Sequence, residues 1–159
     1  ETRLIIYTDS SSNEQDEKKL RFFGIVHGDS DSLDSSGDPT QWVAATQGTF
    51  LSEGIYFDVD LSRSNGWTEK TMRLEYPRAT PKSAGSGDEF YYYTFKSNGT
   101  AADTSNPWLV IRAGTLQPVS GSLAVVFPES DEEKSELKAA LILRRAGTTT
   151  MVNDPADIQ

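Results

Sequence analysis

The segment Phe90-Tyr-Tyr-Tyr-Thr-Phe95 constrains the fold of this chain more than any other. In a strand, successive side chains point to opposite faces. Phe90, Tyr92 and Thr94 then share one face, and Tyr91, Tyr93 and Phe95 the other. One face can be core. The other is also aromatic, so the strand is either covered on both sides or presents a contact surface. Strand formers are plentiful elsewhere, with three Trp, six Tyr and seven Phe in 159 residues. Such a length reads as one domain, residues 1–159, with a core of its own.

Further segments read as strands, some alternating and some continuously apolar. Arg3 to Thr8 reads as a buried strand, and Leu20 to His27 as its antiparallel partner across a polar loop. Gln41 to Thr46 resumes strand character. Ile55, Phe57 and Val59 share a face, as do Met72, Leu74 and Tyr76. Trp108 to Arg112, Leu123 to Phe127, Lys138 to Arg145 and Thr148 to Val152 complete the set. Pro128 to Leu137 reads as the one short helix. Its Ser130 and Glu133 form a capping box, and Asp131 and Glu132 suit the positive end of the dipole. Gly28 to Thr40 and Pro77 to Asp88 read as long surface connections.

Net charge is −9, which argues against nucleic acid and against an anionic membrane surface. The chain has no cysteine, so disulfides, thiolate chemistry and cysteine-based zinc sites are excluded. No apolar run approaches the ~18 residues of a membrane span.

Few residues suggest chemistry. His27, the only histidine, ends a strand, and no Gly-x-Ser-x-Gly elbow accompanies it. Asp29, Asp31, Asp34 and Asp38 fall within ten residues and are the candidate calcium ligands. The spacing is not that of an EF-hand, since Leu33 breaks the alternation. A solvated acidic loop is the plainer reading. Asp58 and Asp60 share one sheet face if their strand continues, either as an acid–base pair or as a guard on a sheet edge. Asn98-Gly-Thr100 matches both a glycosylation sequon and a turn. No catalytic residue and no cofactor is assigned.

Two glycine-centred motifs stand out in the second half, Tyr93 to Ala101 and Leu141 to Val152. Together with Leu51-Ser-Glu-Gly-Ile55, they resemble in order and spacing the globular domain of GspH/FimT-type pseudopilins, minor subunits of type II secretion and type IV pilus machines. The matching positions are Gly54, Phe95, Gly99, Thr100 and Gly147, with Ser52 where the family has Pro. The family's leader peptide and long amino-terminal helix do not occur in this sequence, which begins at Glu1.

The resemblance implies a mainly β, pilin-like α+β fold. The about ten strands and one short helix read from the residues would then form antiparallel sheets packed on an amino-terminal helix absent from this chain. It also implies a non-enzymatic subunit that helps initiate or cap a periplasmic pseudopilus. Its partners would be other pilin or pseudopilin subunits, and the missing helix would anchor it in the bacterial inner membrane. Such an architecture should leave an apolar patch beside the first strand, near Leu4 and Ile6. The alternative from the residues themselves is a carbohydrate-binding or adhesion sandwich using Trp42, Trp67, Trp108 and Tyr91–Tyr93 as platforms.

Overall fold

The computed structural model describes residues 1–8, 13–63, 70–102, 107–128 and 138–153, with backbone only for Asn13, Glu14, Arg63 and Lys138. These residues are nearly all β. A seven-stranded sheet has the order β6(Thr71–Leu74)-β8(Asp88–Phe95)-β1(Thr2–Tyr7)-β2(Phe22–Gly28)-β3(Gln41–Ala44)-β7(Lys82–Ser83), and β4(Thr49–Phe50) also pairs with β2. A four-stranded sheet has the order β13(Thr149–Val152)-β12(Lys138–Leu143)-β9(Trp108–Ala113)-β5(Ile55–Arg63). β10(Thr115–Val119) and β11(Ser122–Val126) form a separate ribbon. All pairings are antiparallel, including the expected one between β1 and β2.

The larger sheet curls into a nearly closed barrel around its own inner face. Ile5, Tyr7, Phe22, Val26, Trp42, Met72, Leu74 and Phe90 fill that interior, and all of them belong to this sheet. Gly85, just after β7, donates its N–H to the Arg73 carbonyl of β6 at 2.9 Å and draws the two edges together. At one end the Arg3 guanidinium lies 4.0 Å from the Trp42 ring and 4.2 Å from that of Tyr92, while Glu1 binds it at 2.8 Å. The outer face of the curl packs on the smaller sheet. Ile6 and Tyr93 meet Phe57, Leu109 and Leu143 there. The aromatic strand is therefore covered on both sides, with Phe90 and Tyr92 turned inward and Tyr91, Tyr93 and Phe95 turned to the second layer.

This arrangement corrects the expected α+β pilin fold of about ten strands on a helix. The described residues hold thirteen strands and one 3-10 helix, Asn13–Lys18. Ile5, Ile6 and Tyr7 are each buried, so both faces of β1 already have a β cover and no helix is needed to complete the core. The capping box at Ser130 and Glu133 lies outside the described residues. β4, β7 and β10 escaped the sequence reading because two are two residues long and the third carries Pro118.

A buried polar network fixes the edge strand β5. The register shifts between Asp58 and Arg63, which marks a bulge. Asp58 Oδ1 accepts the Asp60 and Leu61 N–H groups at 3.0 and 2.9 Å, which holds the bulge in shape. Asp58 Oδ2 receives the Arg112 guanidinium at 2.9 Å, and the same guanidinium donates to the Pro128 carbonyl at 2.7 Å. Both side chains are buried. Arg112→Leu would leave that carboxylate unpaired in the interior. The expected loss is about 3–5 kcal/mol in urea unfolding, and a loss under about 1 kcal/mol would show that water reaches the site.

The two glycine motifs meet in space. Each forms the same turn: Lys96 and Arg144 exchange backbone hydrogen bonds with Gly99 and Thr100, and with Gly147 and Thr148, respectively. Gly99 has φ 81° and Gly147 φ 80°. A Cβ on Gly147 would lie 2.0 Å from the Gly99 carbonyl oxygen, so the turn after β8 and the β12–β13 turn touch backbone to backbone. Gly37 sits in a third such turn at φ 83°, but with open space around it. Gly37→Ala should thus cost about 1–2 kcal/mol from conformational strain alone. Gly147→Ala should cost distinctly more in the same denaturation experiment, and equal losses would mean that the turn contact yields freely.

Candidate functional site

A cleft of about 340 Å³ lies between the two large sheets. Two cross-strand rows run past it, and Leu4 of the first and all three residues of the second line it. Tyr93, Leu4 and Ile25 lie opposite one another across β8, β1 and β2. Leu109, Leu141 and Met151 do so across β9, β12 and β13. Exposure rises along both rows, from 4% at Tyr93 to 38% at Ile25, and from 3% at Leu109 to 69% at Met151. Ile25 and Met151 are thus the uncovered ends of the two rows, while Phe23 of β2 still meets Phe57 of β5, with ring centroids 5.7 Å apart. Phe23, Leu51, Phe57, Ile111 and Ala139 add to the lining, which contains no charged or hydrogen-bonding side chain. This volume is at the lower end of small-ligand pockets. Leu4 thus borders an apolar groove beside the first strand, whereas Ile6 is buried.

The sequence reading missed most of these residues. Lys138 to Arg145 reads as a strand, but nothing in it announces the gap that faces it. Met151 was an unremarked apolar residue in a threonine run, and only its exposure makes it a rim residue.

The residues singled out for chemistry do not assemble. His27 is exposed at the end of β2. Asp58 is committed to Arg112, while Asp60 is exposed within the bulge, so the two carboxylates form no acid–base pair. Among the acidic-loop residues, Asp29 Oδ2 accepts the Ser32 hydroxyl at 2.9 Å, and Asp34 Oδ1 accepts the N–H groups of Ser36 and Asp38 at 2.8 and 3.0 Å. These carboxylates serve their own turns, and Asp31 and Asp38 are exposed. Among the described residues no three acidic or histidine side chains gather as a metal site. Asn98 works as a turn residue, its Oδ1 accepting the Thr100 N–H and hydroxyl at 3.1 and 2.7 Å.

Of the aromatic platform residues, Trp42 and Tyr93 are buried. Trp108 is half-buried and donates its indole N–H to the Leu61 carbonyl at 3.1 Å, Tyr91 and Tyr92 pack on the two cores, and Trp67 lies outside the described residues. The motif residue Gly54 has φ 75° and opens β5, Phe95 packs on the second core, and Gly99, Thr100 and Gly147 belong to the docked turns. None of these five lines the cleft. No helix among the described residues is long and apolar enough to cross a membrane.

A second, polar hollow of about 320 Å³ lies at Leu74 to Arg78 beside Gly87 and Asp88. There Glu75 binds Lys82 and, at 2.7 Å, Arg78. The Lys82 hydrogen bond, aided by the charges of Lys82 and Arg78, holds the Glu75 carboxyl below its ordinary value. A depressed carboxylate pKa adds stability above the unfolded value, and this is lost as pH falls through the folded one. The melting temperature of the native chain should exceed that of Glu75→Gln at about pH 6 in low salt, and the gap should narrow as pH falls through the folded carboxyl's titration. A gap unchanged at low pH would exclude the ion pairs as its origin.

Comparison with protein-family models, with curated proteins and with solved structures finds no match to this chain.

Proposed function

We propose that this chain is a non-enzymatic interaction subunit that takes an apolar segment of a partner protein into the cleft between its sheets. The observation that carries the reading is the wholly apolar lining together with its open mouth at Leu141 and Met151. A sugar or a charged ligand would lose its hydrogen bonds to water there without replacement. An apolar group gains about 25 cal/mol for each Å² removed from water. The lining offers no nucleophile, acid or base, so the cleft is suited to holding rather than to reaction. The assembly role implied by the GspH/FimT resemblance is compatible with this reading, whereas the pilin architecture is not part of it. In that setting the partners are other subunits of a secretion or pilus assembly in the bacterial envelope.

Ala139 faces the cleft from β12 and is only half-buried, so Ala139→Phe would fill the space without displacing a core residue. Anilinonaphthalene sulfonate should fluoresce on the native chain with blue-shifted emission, and Ala139→Phe should weaken its binding by about tenfold. Undiminished dye binding by a variant with an unchanged circular dichroism spectrum would overturn the cleft as the site.

A further inference from the structure

We propose that the partner segment docks as an extended strand on the outer edge of β13 and feeds alternate apolar side chains into the cleft. This rests on the cleft reading above and adds the form of the occupant.

The sheet edges differ in a way that points to β13. Unpaired edges invite foreign strands, and proteins blunt them with charge, proline, bulges or brevity. β5 has its bulge at Asp58. β6 carries Arg73, and β7 is two residues long and begins with Lys82. β10 contains Pro118. On β11 the Leu123 carbonyl already accepts Lys19 Nζ at 2.9 Å. β13 reads Thr149-Thr-Met-Val152, with no charge, proline or bulge, and no described strand pairs with its outer side. Thr149, Thr150 and Met151 are exposed.

The register shows which backbone groups are offered. Arg144 and Thr148 are a hydrogen-bonded pair at the turn. Antiparallel pairs alternate, so Thr150, opposite Ile142, bonds inward to β12, while Thr149 and Met151 present their N–H and C=O groups outward. A strand added there extends the row Leu109, Leu141, Met151 by one residue. That residue's side chain lies at the cleft mouth, and its neighbours two positions away share the face.

Charge selects the partner. Arg144 is exposed at the Thr149 end of the edge, so an incoming strand with a carboxylate at that end is favoured. A second copy would instead bring another body of net charge −9 against the first. The occupant is thus a segment of a different protein, apolar at alternate positions and acidic at one end.

The test uses a ten-residue synthetic peptide of alternating Val and Thr with Asp at both ends, and a second peptide N-methylated on the amides of one edge. Amide NMR titration of the whole chain should show saturable shifts at residues 149–152 and at cleft-lining positions. The N-methylated peptide should bind at least tenfold more weakly. Thr149→Pro removes only an outward N–H and leaves the lining unaltered, so it should weaken the first peptide equally while dye binding in the cleft persists. Equal binding of the two peptides, or no saturable binding up to millimolar peptide, would overturn strand docking even though the dye still binds. Loss of dye binding in Ala139→Phe tests the cleft itself and is independent of both peptides. Concentration-dependent dimers in sedimentation velocity that Thr149→Pro abolishes would make a second copy the occupant and overturn the choice of partner.

Discussion

The structure depends on β1 and β8 being buried on both faces. A strand apolar at consecutive positions, such as Leu4 to Tyr7, cannot lie on the surface of a two-layer sandwich without exposing half of itself. The chain resolves this by curling one sheet around the odd-numbered side chains of β1 and laying a second sheet over the even-numbered ones. Ile5 and Tyr7 thereby face one core and Ile6 the other. Every later feature follows from that double cover, including the cleft, which is the place where the second cover does not reach the end of the first.

Much of the β framework was legible in the sequence because alternation is a local signal. The face assignments of Phe90 to Phe95 and of Met72 to Tyr76 correspond to sides of real cores, whereas at β5 Phe57 and Val59 share the second core with Tyr56 of the other face. What alternation does not carry is the identity of the layer opposite. Resemblance through Gly54, Gly99 and Gly147 supplied a helix for that role, yet these glycines mark turns with φ near 80°, a need that many folds share. The ordering of turns along a chain is weaker information than the partner each face finds.

The candidate site was less legible still, for a physical reason. A catalytic or metal site announces itself by residue types that are costly to bury. An apolar cleft is made of the same residues as a core and differs from it only by what is missing. Asp58 illustrates the converse. It carried the appearance of chemistry, but its two oxygens are occupied by a bulge and by Arg112, so its burial reports architecture.

The contact between Gly147 and the Gly99 carbonyl is made without side chains. Joined in this way, the two hairpins form a spine whose geometry does not depend on the volume of any residue around it. The walls at Leu141 and Met151 are under no comparable restriction, since aliphatic residues of similar size exchange there at small cost. Sequence drift at the mouth can therefore retune which side chain fits while the angle between the sheets stays set, so the fold separates what it holds from how it holds it.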